Sequence, residues 1–222
     1  MLNKMVFGLL VLLISSGMGL GIAKNLKNKA DYPPVPADLQ KISGEFKWNS
    51  VTPGQNQTGP HLSMDEITKL GNDLISNYQT GIELVRIIET TNYFYMIFRE
   101  TATGIGAFEL LVDPVTGQMG FETGPSQLWN TKYGIWSSGK YMSNVISEVQ
   151  AQYNAAKFLK NENPMASIDP KPVVFHGYYS FLEVQDGQII GVLSVNGFNG
   201  DITPHDWLGK VLQTREFSNN KS

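Results

Sequence analysis

Three imidazoles are available to this chain, at His61, His176 and His205. A metal centre needs two or three such rings converging with a carboxylate. His176 precedes the run "YYSFLEV" and His205 follows "DIT", on a strand expected to run roughly parallel to it. Several residues at ~3.3 Å each then separate the two rings, too far for one ion, so neither a metal nor any other cofactor is expected. "PHDW", Pro204 to Trp207, sets His205 beside Asp206 like a base with its orienting carboxylate. Neighbours on an extended chain point to opposite sides, which favours a plain strand-end position near Trp207. Glu109 sits inside the apolar run "AFELLVD", where alternation puts it with Leu111 on one face. A solvent face is expected there, with a buried functional carboxylate as the alternative.

Other reactive patterns are missing. The chain has no Gly-x-Ser-x-Gly turn, no phosphate-binding glycine loop and no His-Glu-x-x-His. "TGIGAF", Thr103 to Phe108, lacks a strand-to-helix context and reads as a hairpin corner. Met64, Met96, Met119, Met142 and Met165 are scattered, which suits core filling better than copper ligation. The chain is therefore expected not to be an enzyme, hydrolysis being the least favoured reading.

Binding chemistry is better represented. "GPSQLWNTKYGIWSSGKY", Gly124 to Tyr141, crowds Trp129, Tyr133, Trp136 and Tyr141 into a Gly/Ser-rich connection. Such rings either clip a loop to the body or stand exposed and dock a partner. Long loops without their own secondary structure are often functional, so these four residues are the candidate partner-binding set.

Composition limits who that partner is. The 222 residues are 41% hydrophobic and 17% charged, the balance of a chain that buries a core. Four of the 17 lysines and arginines precede Asp31 and no acidic residue does, leaving 13 basic against 20 acidic, a net of −7. That sign opposes nucleic-acid binding, which rests on phosphate neutralisation. No cysteine is present, so disulfides, thiolate metal sites and haem attachment through cysteine are excluded.

The elements that would position these groups begin with a leader. Met5 to Ala23 carries no charge and is flanked by Lys4 and by "KNLKNK". Residues 1–30 suit an export signal cut after Ala23 or, through residues 5–23, a retained membrane anchor of about the ~20 residues a spanning helix needs. The body is then expected outside the cytoplasm, facing the periplasm or exterior at the membrane, or secreted after cleavage. Residues 31–61 form a proline-rich spacer, "DYPPVPADLQ", followed by a turn-rich stretch.

The rest reads twice. A Ser63-x-x-Glu66 capping box opens a helix with Ile67, Leu70, Leu74, Ile75 and Tyr78 on one face. Short β-branched and aromatic runs follow, ending in "LLVDPVTGQMG". A second helix from Ser143, with Val145, Val149, Tyr153 and Ala156 as its apolar stripe, again precedes strands, closed by "LSVNGFNGDIT". Val112, Thr116, Gly117 and Met119 stand 83 positions before Val195, Asn199, Gly200 and Ile202. The expected fold is α+β: an N-terminal hydrophobic helix, then tandem repeats at 62–123 and 142–210. Each repeat packs a helix on an antiparallel β-meander, with the connection at 124–141 between them and a tail at 211–222.

"LLVDPVTGQM" and "DGQIIGVLSVNGFNGDI" resemble the hairpin of the PepSY domain, a small extracytoplasmic module. The resemblance implies no catalytic residues, and it implies roles such as peptidase inhibition, folding assistance or membrane-tethered accessory work. The expected function is a non-enzymatic, membrane-associated protein-binding or assembly subunit. Its partner would be a membrane complex or an extracellular peptidase. A peptidase inhibitor, a folding assistant and a small-ligand module are the alternatives.

Overall fold

A computed structural model describes residues 59–78, 81–134, 137 and 141–217. The first helix, α1 (Met64–Tyr78), starts where the capping box places it. The Glu66 carboxylate accepts from Ser63 N at 2.7 Å and from Ser63 Oγ at 2.8 Å, while Ser63 Oγ accepts from Glu66 N at 3.3 Å. Strands β1 (Ile82–Thr90), β2 (Phe94–Glu100), β3 (Gly106–Val112) and β4 (Met119–Phe121) follow, then a short helix α2 (Pro125–Leu128). Helix α3 (Glu148–Glu162) leads into β5 (Ser167–Ile168), β6 (Val173–Phe175), β7 (Tyr178–Gln185), β8 (Gln188–Asn196) and β9 (Ile202–Pro204). A single 3₁₀ turn (Asp206–Leu208) and β10 (Val211–Glu216) complete the described chain.

The ten strands make one continuous mixed sheet in the order β10-β1-β2-β3-β6-β7-β8-β9, with β4 on β3 and β5 on β7. This corrects the expectation of two tandem helix–meander repeats. Two features that local pattern does not reveal join the strands. Gly106 of β3 bridges Phe175 of β6 in parallel, and β10 returns from the far end of the sequence to pair antiparallel with β1. The first junction depends on a missing side chain. A Cβ at residue 106 would lie 2.5 Å from the Phe175 ring, which fills that space itself. Gly106→Ala is expected to lower stability by about 1–3 kcal/mol, the usual cost of overpacking, as read by thermal or urea unfolding. An unchanged midpoint would mean that Phe175 moves aside freely.

Local turn chemistry matches the sequence. Asp113 Oδ1 accepts from Val115 N and Thr116 N at 2.9 and 2.8 Å; Asn196 Oδ1 accepts from Phe198 N and Asn199 N at 2.9 and 3.3 Å. Gly117 (φ 69°) and Gly200 (φ 79°) close these loops in the left-handed region, where a side chain is penalised.

Three apolar layers result. Ile67 and Leu74 of α1 pack on Leu84, Ile87, Met96, Phe98, Phe108 and Leu110. A middle layer brings Ile88, Tyr95, Ile97 and Leu111 of the first strands against Phe175, Tyr178, Leu182 and Val192 of the later ones. The third sets Ala151, Ala155 and Leu159 of α3 on Tyr179, Phe181, Leu193 and Val195.

That third layer turns α3 over relative to expectation. Val145, Val149 and Tyr153 are exposed, at 74%, 75% and 61%, and Ala156 is exposed with them. Two alanines let the helix lie close to a sheet face already supplied with bulky rings. The helix also starts later than Ser143, at the Ser147 cap, whose side chain accepts from Gln150 N at 3.2 Å. Its lead-in is tied down instead, Val145 N and Ile146 N both donating to Gly197 O.

Among the described residues no helix is long and apolar enough to cross a membrane. The transmembrane helix expected at residues 5–23 falls on a segment that lies outside the described residues.

Candidate functional site

The structure sends the two later histidines to different places. His176, at the corner between β6 and β7, faces Glu100 at the end of β2 with Nε2 3.5 Å from Oε1. Glu100 Oε1 also accepts from Lys132 Nζ at 2.7 Å and Tyr133 Oη at 2.8 Å, and its Oε2 accepts from Thr103 Oγ1 at 2.8 Å. Burial opposes ionisation of this carboxyl, but His176, Lys132, Thr103 and Tyr133 outweigh it and bring it down to about 2. The Tyr141 ring covers the His176 ring at 4.2 Å, with Lys132 Nζ 4.6 Å from the Tyr141 centroid. One anion thus gathers β2, the β2–β3 corner, the aromatic connection and the β6–β7 corner.

The candidate docking aromatics are largely spent on this work. Tyr133 is buried and joins both the Glu100 cluster and the first apolar layer, and Trp129 packs half-buried on the middle layer. Tyr141 is half-buried over His176, and Trp136 lies outside the described residues. His61 is exposed just ahead of α1.

His205 is buried in the second place. Its Nε2 lies 3.0 Å from Ser194 Oγ, and Trp207 stacks on its ring at 4.7 Å. Its ring meets Tyr95 edge-on at 5.8 Å. Burial with no nearby anion pushes its imidazole down to about 3, so it stays neutral. Asp206, its sequence neighbour, is not its partner.

Beyond Tyr95 lies Glu109, which the structure buries completely, against the expected solvent face. Directly across the β3–β4 ladder, one step past the Leu110–Phe121 pair, stands Glu122, also fully buried. Glu122 N donates to Glu109 O at 3.0 Å, so the two side chains share a face. Tyr178 Oη donates to Glu109 Oε2 at 3.1 Å, while Glu109 Oε1 and Tyr95 Oη meet no hydrogen-bond partner. Glu122 accepts from Gly124 N and Ser126 N at the start of α2. Burial raises Glu109 to about 7, against the pull of the Tyr178 hydroxyl that donates to it. Burial and the neighbouring Glu109 charge raise Glu122 to about 8. The hairpin register "ELLVDPVTGQMGFE" contained this pairing, since Val112 opposite Met119 fixes Glu109 opposite Glu122.

Glu100 is ionised and fully subscribed, and a carboxyl with no exposed surface can pass a proton only to its neighbours. Among the described residues no three histidine or carboxylate side chains converge as metal ligands.

Among the described residues, the outward face of α3 offers one exposed apolar surface to another molecule. Val149, Tyr153 and Ala156 follow one another at helical spacing, Lys157 and Lys160 stand near the far end of that line, and Val145, in the bend before the Ser147 cap, is exposed as well. No family model, curated protein or solved structure matches this chain.

Proposed function

We propose that the protein is a non-enzymatic binding subunit that docks a partner protein through the outward face of α3. The observation that carries this reading is the exposure of Val149 and Tyr153 on the helix, with Val145 exposed just ahead of it, where a free face would carry polar residues. The partner is an amphipathic helix. Its apolar residues cover this line, and its acidic residues meet Lys157 and Lys160, the two exposed cations at the end of the line. Tyrosine supplies a large contact at small entropic cost, which makes Tyr153 the anchor.

A photo-crosslinking residue at position 149, introduced in the cells that make the protein, is expected to capture one discrete protein partner. The same residue at Lys69, on the exposed face of α1, should not capture it. Tyr153→Glu should reduce the adduct at least tenfold while leaving the unfolding midpoint within a degree or two, because the side chain supports no core. Equal capture from both positions, or an adduct indifferent to Tyr153→Glu, overturns the proposal.

A further inference from the structure

We propose that a groove at the open end of the middle layer binds an apolar molecule ending in a carboxylate. The groove has a volume of about 480 Å³ and lies among β1, β2, the β2–β3 corner, the approach to β6 and the end of β10. That volume is in the range of ordinary small-molecule sites, ~300–1,000 Å³. Val85, Ile105, Val174 and Phe217 are among its apolar lining, and Arg86, Arg99, Lys171 and Glu216 make its charged one.

The two guanidinium groups are held but not satisfied. Arg86 reaches Glu216 through Nε, and Arg99 reaches Glu83 Oε1 through Nε at 2.6 Å. Each carboxylate therefore fixes the plane of its arginine and leaves the outer pair of nitrogens unused. Among the described residues, the Nη atoms of Arg86 and Arg99 and the Nζ of Lys171 make no hydrogen bond. The side chains are 14% and 29% exposed, so they are largely immobilised before any ligand arrives. A guanidinium fork in that condition suits a planar carboxylate, which it grips with two parallel bonds.

Charge makes the same point. Of the lining residues, three are cationic and only Glu216 is anionic, in a body whose net charge from Asp31 onward is −7. A neutral apolar guest would leave those donors unpaired, and an anion without an apolar part would leave the valine and phenylalanine surface wet. The shared chemistry is a short apolar chain with one terminal carboxylate, offered either by a medium-chain carboxylic acid or by the free C-terminus of an apolar peptide.

The test titrates the purified full chain with sodium octanoate and with acetyl-Val-Leu-Val carrying a free C-terminus. Octanamide and the amidated peptide serve as matched neutral controls, and calorimetry reads the binding. Saturable binding of either carboxylate, at least tenfold tighter than its amide, supports the site, and which of the two binds identifies the source. Arg99→Gln and Lys171→Gln should each weaken that binding about tenfold, the effect of losing one charge-assisted hydrogen bond. Circular dichroism and a melt establish that both variants are folded. Absence of saturable binding by both carboxylates, equal binding of an amide, or affinity unmoved by both substitutions overturns the proposal. None of these results bears on α3, which lines no part of the groove.

Discussion

Raising the pH from about 5 to about 9 will destabilise the protein, and Glu109→Gln will remove much of that loss. The two buried carboxyls set the sign. Glu109 and Glu122 hold their protons up to about 7 and about 8 in the folded chain, against an ordinary 4.5. Below about 4.5 both are protonated whether or not the chain is folded, and their contribution is intact. As pH rises the unfolded chain releases these protons first, so folding grows costlier until both groups ionise in place. His205 works in the opposite sense. Its imidazole is depressed to about 3, so its contribution is intact above about 6.5 and is lost as pH falls toward 3. Glu109 and Glu122 losing upward, against His205 and, below about 4.5, Glu100 losing downward, place the optimum in the mildly acidic range.

Glutamine at 109 copies the protonated acid. Its carbonyl oxygen can accept from Tyr178 Oη, and its amide can donate to Tyr95 Oη, which has no partner at present. The variant should match the parent near pH 5 and exceed it by about 2 kcal/mol at pH 9, a midpoint gain of roughly 4–8 °C. Urea unfolding across that pH range makes the measurement. A parent whose stability is flat from pH 5 to 9 would show that the carboxyls are not sealed from water in solution.

The second large effect belongs to the Glu100 cluster. Lys132→Met should cost about 3 kcal/mol, because it leaves a buried carboxylate short of its cation. Glu100 and Lys132 side chains are only 9% and 10% exposed, so water offers little compensation. Adding Glu100→Gln to Lys132→Met should restore a substantial part of the loss, and a double-mutant cycle isolates the coupling. The acid limb supplies an independent reading. The Glu100 contribution is intact above about 4.5 and is lost as pH falls toward about 2, a steepness that Glu100→Gln should abolish. A Lys132→Met protein as stable as its parent would mean that Tyr133, Thr103 and His176 suffice to hold the anion.

Local signals in the sequence were reliable where a few neighbouring residues settle the geometry. The Ser63–Glu66 box and the Asp113 and Asn196 loops all form. The errors came from partners that sequence proximity cannot show. Glu109 alternates with apolar residues like a surface position, but the later strands cover that face and Tyr178 lies over it. The α3 stripe of Val145, Val149, Tyr153 and Ala156 was read from its spacing alone. The sheet beneath already carries Tyr179 and Phe181, so the helix faces it with Ala151, Ala155 and Leu159 instead. The one-sheet architecture rests on a single glycine–phenylalanine bridge and on a strand whose exposed pattern resembles no core element. The resemblance to PepSY modules was carried by hairpin residues, which report on the turn and say little about what the strands join.

The pairing of β10 with β1 also has a bearing on biosynthesis. Arg86 and Glu216 are 130 positions apart, yet they lie side by side in the finished sheet. On a ribosome, one rim of β1 must therefore remain bare through the synthesis of nearly everything that follows it, an open template for illegitimate strand addition. Newly made chains should accordingly need a holdase or rapid release until residues 211–216 emerge and close that rim.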